Sequence, residues 1–356
     1  MEYMTAKETA EKWNISQRRV STLCMECRIA GAERFGNMWK IPISAIKPED
    51  KREIPILLND GKAKPFVKWA GGKKQILAQI RSKYPVGLGK TITKYAEPFV
   101  GGGAVLFDIL NTYKLKKVYI SDVNAELINT YSMIQKSVNK LISVLKELET
   151  EYNTKDQDKR KDYYLDKRDR FNYLKFYGDF TTDLEKAALF IFLNKTCFNG
   201  LYRVNKKGEY NVPMGVYKNP LICDEDNLKR ISELLKNVKI VCGDYKKAEK
   251  FIDENTFVYL DPPYRPLTQT AAFTAYTNDG FTDKEQSELA EFVDSMASKG
   301  AKIVVSNSDP KNTNAEDDFF DDLYSKFNIV RIEANRMINS KGKGRGKISE
   351  LLIANY

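Results

Sequence analysis

The sequence predicts an α/β protein with a Rossmann-like, doubly wound sheet, preceded by a small separate domain. From Lys64 onward, short apolar runs alternate with amphipathic helical patterns, which is typical of a parallel sheet with helices on both faces. The predicted strands are residues 91–95, 117–120, 238–241, 256–260, 301–305, 328–332 and 349–356. The predicted helices between them are residues 73–83, 105–113, 124–148 and 283–298. A charged and aromatic stretch at about residues 150–235 interrupts this alternation, and we interpret it as an inserted subdomain with a helix at 183–194.

Residues 1–52 are predicted to form a winged helix-turn-helix domain, joined to the rest by a linker at 53–63. A capping box at Thr5–Glu8 opens the first helix, and a wing hairpin with its turn at Gly36-Asn37 follows the second. This part resembles the helix-turn-helix domains of the MerR and excisionase type. The resemblance implies that the second helix enters the DNA major groove with Arg18 and Arg19 facing outward. A regulatory or protein-docking module of the same shape is the alternative.

The composition excludes several kinds of chemistry. The 356 residues include no histidine, which removes every mechanism that needs an imidazole base or an imidazole metal ligand. Cys24 and Cys27 form one CxxC pair without a second pair, so we expect neither a disulfide framework nor a metal site. The net charge of +10 indicates a polyanionic partner. No signal peptide or membrane span is predicted, and we expect a cytoplasmic, nucleoid-associated protein of a prokaryote or a phage.

Polar residues stand where the predicted strands end. Glu97, Asp122, Asp244 and Asp261 close the first four strands, and Asn307 closes the fifth. In an open α/β sheet, ligands bind at the carboxyl ends of the strands. A carboxylate at the end of a buried strand costs free energy unless a polar group meets it. We therefore expect these side chains to form one binding site.

A glycine-rich loop, residues 101–103, follows the first strand and lets the backbone approach a ligand closely. The loop does not match the dinucleotide-binding pattern G-x-G-x-x-G, because Ala104 stands where a glycine is required. The segment WAGGKK (69–74) is not a P-loop, because it lacks the upstream glycine and the Ser or Thr after the lysine. An acid at the end of the second strand, here Asp122, is the usual partner of ribose hydroxyls. The combination favours an adenosine ligand without phosphates. S-adenosyl-L-methionine fits, because its cationic sulfonium suits the acidic edge.

The segment Asp261-Pro262-Pro263-Tyr264 ends the fourth strand. The carboxylate and the proline carbonyls are acceptors, and the prolines fix the backbone while adding no N–H donor. The ring of Tyr264 offers a flat stacking surface. Together these groups suit the exocyclic amine of a planar base. Accepting its hydrogens draws the nitrogen toward sp3 geometry and exposes its lone pair for methyl transfer without a histidine base.

Six motifs occur in order and resemble the Dam-type DNA adenine-N6 methyltransferases, the D12 class of the α group. They are KWAGGK (68–73), AEPFVGGG (96–103), SDVN (121–124), FNGLYRVNKKGEYNVPMGVYK (198–218), DPPY (261–264) and FTAY (273–276). The resemblance covers residues 64–356. It implies methyl transfer from S-adenosyl-L-methionine to the N6 amine of adenine in double-stranded DNA after base flipping. Enzymes of this kind with this hairpin mostly methylate GATC, which is the predicted site.

The resemblance also implies roles for the matching residues. The implied cofactor contacts are Trp69, Lys73, Phe99, Gly101, Gly103, Asp122, Asp244, Tyr245 and Asp261. The implied catalytic residues are Asp261, Pro262, Pro263 and Tyr264, with Tyr264 stacking on the flipped adenine. The implied DNA contacts are Lys68, Phe198, Asn199, Leu201, Arg203, Pro213 and Lys218. Among them, Arg203 would read a guanine edge with two hydrogen bonds.

Two positions depart from the family pattern. Phe198 stands where tyrosine is common, and Val216 stands where an arginine often contacts phosphate. One alternative is a small-molecule or cytosine-N4 methyltransferase, but the basic hairpin and Asp261 disfavour it. The other is a non-enzymatic regulator led by the helix-turn-helix, which has no use for Asp122 and Asp261 together. We expect a monomer that acts on double-stranded DNA. The sequence is compatible with a cognate restriction endonuclease as a partner but does not identify one.

Overall fold

The computed structural model describes residues 3–25, 28–36, 38–48, 61–265, 281–335 and 347–356. The chain divides into two compact units, Met1–Asp60 and Gly61–Tyr356. Among the helices in the described ranges, none is long and apolar enough to cross a membrane.

The described residues of the first unit form two helices and a small sheet. Its elements are β1 Tyr3–Met4, α1 Ala6–Trp13, α2 Gln17–Met25, β2 Glu33–Phe35 and β3 Met38–Pro42. The predicted capping box is present, because the Thr5 side chain accepts from the Glu8 N–H while the Glu8 carboxylate accepts from the Thr5 N–H. The strands are antiparallel in the order β1-β3-β2. Cys24 is buried in the core of this unit, whereas Cys27 and Asn37 of the predicted turn lie outside the described residues.

Within the described part of the second unit, seven strands form one sheet. They are β4 Lys94–Glu97, β5 Lys117–Asp122, β6 Val238–Cys242, β7 Thr256–Leu260, β8 Lys302–Ser308, β9 Asn328–Asn335 and β10 Lys347–Ala354. The order is β6-β5-β4-β7-β8-β10-β9. The first five strands in this order are parallel, and β10 is antiparallel to both of its neighbours. The strand order reverses between β4 and β7, and a crevice at such a reversal is the usual ligand site.

Helices cover both faces of this sheet, which confirms the predicted doubly wound α/β fold. They are α3 Leu77–Arg81, α4 Ala104–Thr112, α5 Ala125–Asn153, α6 Gln157–Tyr177, α7 Asp183–Thr196, α8 Glu225–Leu235, α9 Asp283–Ser298 and α10 Phe319–Leu323. Side chains alternate between faces along each strand. Phe257 and Tyr259 of β7 therefore join a core with α4, α5 and α8, whereas Val258 and Leu260 join a second core with α9 and α10.

Three local predictions were wrong. The helix predicted at 73–83 is a 3-10 turn, Lys73–Gln75, followed by the short α3, because Ile76 has non-helical angles (φ −106°, ψ 10°). The first strand begins at Lys94 rather than at residue 91, since Ile92 pairs with Leu88 in an isolated bridge. The insert also contains α6, a helix of 21 residues that the sequence pattern did not predict.

Candidate active site

A cavity of about 1230 Å³ opens at the carboxyl ends of the parallel strands. Its lining includes the four strand-end acids Glu97, Asp122, Asp244 and Asp261, together with the glycine loop and the segment 261–264. Pockets for one small molecule usually measure about 300–1000 Å³. The predicted cofactor residues and the predicted catalytic residues therefore share one cavity that is large enough for two groups.

The glycine loop and Asp122 hold each other in place. The Asp122 carboxylate accepts from the N–H of Gly101 at 3.0 Å and from the N–H of Asn124 at 2.9 Å. Gly101 has a φ of +47°, and a Cβ atom there would lie 2.8 Å from Cδ1 of Trp69. Burial raises the pKa of Asp122, and the hydrogen bonds from these N–H groups partly offset the effect. Each carboxylate oxygen keeps a further lone pair for a ligand hydroxyl.

An aromatic group lines the cavity beside β6. Phe99 stacks on Tyr245 with ring centroids 5.5 Å apart, and Phe281 meets Phe99 edge-on at 6.0 Å. Asp244 is exposed at the start of the same turn, where its carboxylate accepts from the Lys246 N–H. These residues give the cavity a flat apolar wall with an acceptor at its rim, as an adenine ring requires.

The Asp261 carboxylate is anchored through one of its oxygens. Oδ1 accepts from Ser306 Oγ at 2.9 Å and lies 2.9 Å from the Lys73 ammonium. Ser306 in turn shares a hydrogen bond of 3.0 Å with the Tyr259 hydroxyl. Burial raises the pKa of Asp261, while Lys73 and Ser306 lower it. In the described part of the chain, nothing bonds to Oδ2, so this oxygen is available to a ligand.

Tyr264 is tied to the same network. Its hydroxyl donates to Glu350 Oε2 at 2.7 Å and accepts from Lys73. The Lys73 ammonium also lies 3.7 Å from Glu350 Oε2 and 4.3 Å from the centroid of the Tyr264 ring. Lys73 is 5% exposed. The structure thus brings Lys73, which the resemblance placed at the cofactor, into direct contact with Asp261 and Tyr264.

The proline segment is fixed from the side of α9. Gln286 donates to the Pro263 carbonyl at 3.1 Å, and Asn307 donates to the Gln286 side-chain oxygen at 3.0 Å. Both amides are fully buried. Within the described ranges, no donor engages the Pro262 carbonyl. The segment therefore offers two acceptors that no described residue engages, Asp261 Oδ2 and the Pro262 carbonyl.

Glu350, Ser306 and Gln286 were missed by the sequence reasoning. Glu350 is a lone acid within the apolar run of β10, and this signal could have identified it. Glu97, which was expected, is buried at the end of β4, where it accepts from the Tyr95 hydroxyl at 2.7 Å. Burial raises the pKa of Glu97 well above its ordinary range. The hydrogen bond from Tyr95 lowers this pKa, and the charge of nearby Asp261 raises it further.

The predicted DNA-reading hairpin follows α7 as an irregular ribbon. Isolated bridges join Cys197 to Met214 and Val204 to Tyr210, and the turn between them is closed at Asn205–Gly208. Phe198 is 53% exposed, and Asn199, with a φ of +57°, is exposed as well, so both stand out from the ribbon at its base.

The remaining predicted DNA contacts lie on or against this ribbon. Arg203 is exposed, and its guanidinium donates to the Asn211 side chain at 2.8 Å and to the Asn211 carbonyl at 3.2 Å. The exposed Lys68 has its backbone held by the Asn194 amide, which donates to the Lys68 carbonyl at 2.9 Å and accepts from its N–H at 2.8 Å. Pro213 and Lys218 are exposed, and Leu201 is half-buried. Arg18 and Arg19 belong to α2 of the separate first unit, where Arg18 is exposed and Arg19 is half-buried.

This fold and this cavity define an α/β protein of the Rossmann-like methyltransferase class. The chain belongs to the D12 class N6 adenine-specific DNA methyltransferases, whose family model matches residues 69–338. It is therefore a site-specific DNA adenine-N6 methyltransferase, and the methyl donor of this class is S-adenosyl-L-methionine. Glu350 lies beyond the matched range.

The chain is similar to several curated proteins over most of its length. It is 52% identical over 295 residues to the type II methyltransferase M.MjaIII of Methanocaldococcus jannaschii, covering 82% of this chain and 99% of that protein. It is 39% identical to the type II methyltransferase M1.LlaDCHI of Lactococcus lactis, covering 82% and 95%. It is 33% identical to the DNA adenine methylase of Vibrio cholerae, again covering 82% and 95%. These similarities support the same activity class.

Proposed function

We propose that this enzyme methylates the adenine of GATC in double-stranded DNA, after flipping that base into the cavity beside S-adenosyl-L-methionine. The observation that carries the proposal is the anchored Asp261 carboxylate. Lys73 and Ser306 both occupy Oδ1, so Oδ2 and the Pro262 carbonyl are left as a pair of acceptors. An exocyclic amine has two hydrogens to donate, and a paired base in a duplex cannot reach such a pocket without flipping.

The residues of the cavity fit the cofactor. When bound, S-adenosyl-L-methionine supplies an electrophilic methyl group on a positively charged sulfur. Asp122 would accept from the ribose hydroxyls, and the pair Phe99 and Tyr245 would contact the adenine ring, with Asp244 at its edge. Gly101, Gly103, Trp69 and Lys73 would line the remainder of the site. The acidic and aromatic side chains of the cavity suit a cationic ligand with a planar ring. The glycine loop lacks the phosphate-binding spacing of a P-loop, as expected for a ligand without phosphates.

The catalytic segment can activate the target amine without a base. Asp261 Oδ2 and the Pro262 carbonyl would accept the two N6 hydrogens, which frees the nitrogen lone pair from the ring. Pro263 is held by Gln286 and keeps these acceptors in place. The negative carboxylate would also stabilise the positive charge on N6 while the bond to the methyl carbon forms and the carbon–sulfur bond breaks, and the surplus N6 proton would then leave to solvent through Asp261 Oδ2. Lys73 and Glu350 hold the Tyr264 hydroxyl, so the ring is oriented and its face would stack on the flipped base.

The hairpin would read the site from the major groove. Arg203 is oriented by Asn211, and a pre-oriented guanidinium fits the O6 and N7 acceptors of guanine. Phe198 and Asn199 would fill the gap that the flipped base leaves, and Leu201 and Pro213 would contact the neighbouring base pairs. Lys68 would contact the first guanine, and Lys218 a phosphate.

We also propose that the first unit adds a second DNA contact through α2. The exposed Arg18 on this helix supports the proposal. Reversing its charge in Arg18→Glu should weaken DNA binding, and the weakening should shrink as salt is raised. Unchanged DNA affinity would favour the protein-docking alternative instead.

The names of two relatives, both type II methyltransferases, support a cognate restriction endonuclease as a partner of the same DNA site. We propose that the enzyme itself acts as a monomer, and light scattering of the protein with and without a GATC duplex tests this directly. A mass that corresponds to two chains would contradict the proposal.

The function is tested by expressing the protein in cells without adenine methylation and sequencing a resident plasmid for methylated bases. We expect N6-methyladenine at GATC, and Asp261→Asn should lower methylation by about 10²–10³-fold or more, because it removes the charge but keeps the shape. Methylation of cytosine N4 would overturn the proposed chemistry. Methyladenine at another sequence would overturn only the GATC assignment.

A further inference from the structure

The base of the hairpin carries a tyrosine that points away from the proposed DNA surface. Tyr202 lies between Leu201 and Arg203, but its side chain is only 6% exposed and lines the same cavity as Asp122. In an extended segment, successive side chains point to opposite sides. The backbone that presents Arg203 outward therefore turns Tyr202 inward, toward the cofactor half of the cavity.

The hydroxyl of Tyr202 joins a half-buried ion pair between Lys175 of α6 and Glu126 at the start of α5. It donates to Glu126 Oε2 at 3.1 Å and accepts from the Lys175 ammonium at 3.1 Å. Lys175 also lies 3.4 Å from Glu126 Oε1. Burial and the negative charge of Glu126 raise the pKa of Tyr202, so the hydroxyl keeps its proton and donates. Glu126 follows Asn124 by two residues, and the Asn124 N–H holds the Asp122 carboxylate.

The ring of Tyr202 supports the other side of the cofactor site. It stacks on Trp69 with centroids 5.6 Å apart and planes inclined by 29°. Trp69 packs so closely on the glycine loop that a Cβ at Gly101 would lie 2.8 Å from its ring. Gly101 is the second residue whose N–H holds Asp122. Through its ring and its hydroxyl, Tyr202 thus reaches both supports of Asp122.

We propose that Tyr202 is a positioning residue that couples the DNA-reading hairpin to the cofactor site. An arrangement of the hairpin that suits DNA also holds Trp69 and Glu126 where the cofactor needs them. Cognate DNA and the cofactor should therefore each increase the affinity of the enzyme for the other, by the same factor in both directions. This inference rests on the proposed function of the cavity and the hairpin.

The coupling is measured as a ratio of two dissociation constants. Calorimetry gives the affinity for S-adenosyl-L-homocysteine, which cannot donate a methyl group, with and without a saturating GATC duplex. We expect the duplex to tighten binding in the wild type by at least about fivefold, the lower end of common coupling factors. Tyr202→Phe keeps the ring and removes the hydroxyl, and should bring the ratio to within about twofold of one. Glu126→Gln, which retains an acceptor but loses the charge, should reduce the ratio in the same direction.

Tyr210→Phe is the matched control. Tyr210 is a buried tyrosine of the same ribbon, and its hydroxyl donates to the Leu201 carbonyl rather than to the cofactor side. Its variant should keep the wild-type ratio. A ratio of one in the wild type, an unchanged ratio in Tyr202→Phe, or an equal loss in both tyrosine variants would each overturn the inference. A wild type that fails to methylate the same GATC duplex would instead overturn the proposed function, so the two failures are distinguishable.

Discussion

Replacing Lys73 by methionine should destabilise the enzyme strongly, and more so at high pH than at low pH. The Lys73 ammonium is 5% exposed and lies 2.9 Å from Asp261 Oδ1 and 3.7 Å from Glu350 Oε2. At an effective dielectric of about 20, those distances correspond to attractions of roughly 6 and 4 kcal/mol before the cost of burying the ammonium is subtracted. Removing one partner of a buried ion pair usually costs about 3–5 kcal/mol. We expect a loss of that size in the free energy of unfolding at pH 8.

The pH dependence follows from the carboxylates that remain. Burial and Glu350 raise the pKa of Asp261, and Lys73 is the largest influence that lowers it. Without Lys73, Asp261 binds a proton more readily in the folded state than in the unfolded state. The loss of stability in the variant, compared with the wild type, is therefore smaller below the raised pKa of Asp261. This loss grows as the pH rises through that pKa.

Urea unfolding of both proteins at pH 5 and pH 8 measures this effect. Lys74→Met is the matched control, because Lys74 is exposed and its loss should change stability by no more than about 0.5 kcal/mol. A loss below about 1 kcal/mol in Lys73→Met at pH 8, or the same loss at both pH values, would refute this account of the ion pair.

Three further changes test separate parts of the site. Gly101→Ala forces a residue with a side chain into the left-handed region, at about 1–2 kcal/mol, and pushes a Cβ onto Trp69. Calorimetry should therefore show weaker cofactor binding, while the affinity for DNA measured without cofactor stays unchanged. Unchanged cofactor binding would contradict the loop geometry. Tyr264→Phe keeps the stacking ring but removes the hydroxyl that donates to Glu350, which should lower stability by about 1–3 kcal/mol. The kcat should fall while the KM for DNA stays unchanged. A rise in KM alone would place Tyr264 in DNA binding only. Arg203→Lys keeps the charge but loses the planar guanidinium that donates two hydrogen bonds to guanine. Methylation rates on GATC duplexes and on duplexes with one substituted base pair should therefore differ by about 1–3 kcal/mol less at one position of the site. Equal loss at every position would indicate a phosphate contact.

The positions of β5, β7 and β8 were predictable because these strands are largely buried on both faces and each reads as a short apolar run. The catalytic segment was predictable for a related reason. Asp261 follows such a run directly, and two prolines after it fix the backbone by local sterics. Features of this kind depend on neighbours in the sequence, and a single sequence shows them.

The helix α6 could not be predicted from periodicity because a charged residue takes a core position. Arg160 is buried beside Tyr164, Phe171 and Leu174. Its guanidinium donates to the carbonyls of Tyr152, Asn153 and Lys218, which ties the end of α5 to the end of the hairpin segment. A pattern that counts only apolar residues misses a helix whose buried stripe includes such an arginine. The partners of Lys73 were hidden for another reason, since Glu350 is remote in sequence and meets Lys73 only after the sheet has formed.

The absence of histidine is consistent with the electrostatics of this site. A buried carboxylate tends to take up a proton, and a protonated Asp261 could present an O–H donor to the amine where an acceptor is needed. Lys73 and Ser306 counter that tendency by stabilising the charged form at Oδ1. The same two contacts fix the orientation of Oδ2, so one ammonium sets both the charge and the direction of the acceptor. Lys73 is itself held by Tyr264 and Glu350. The stacking surface, the acceptor and the cation therefore form one unit, and disturbing any member should change the geometry that the target amine meets.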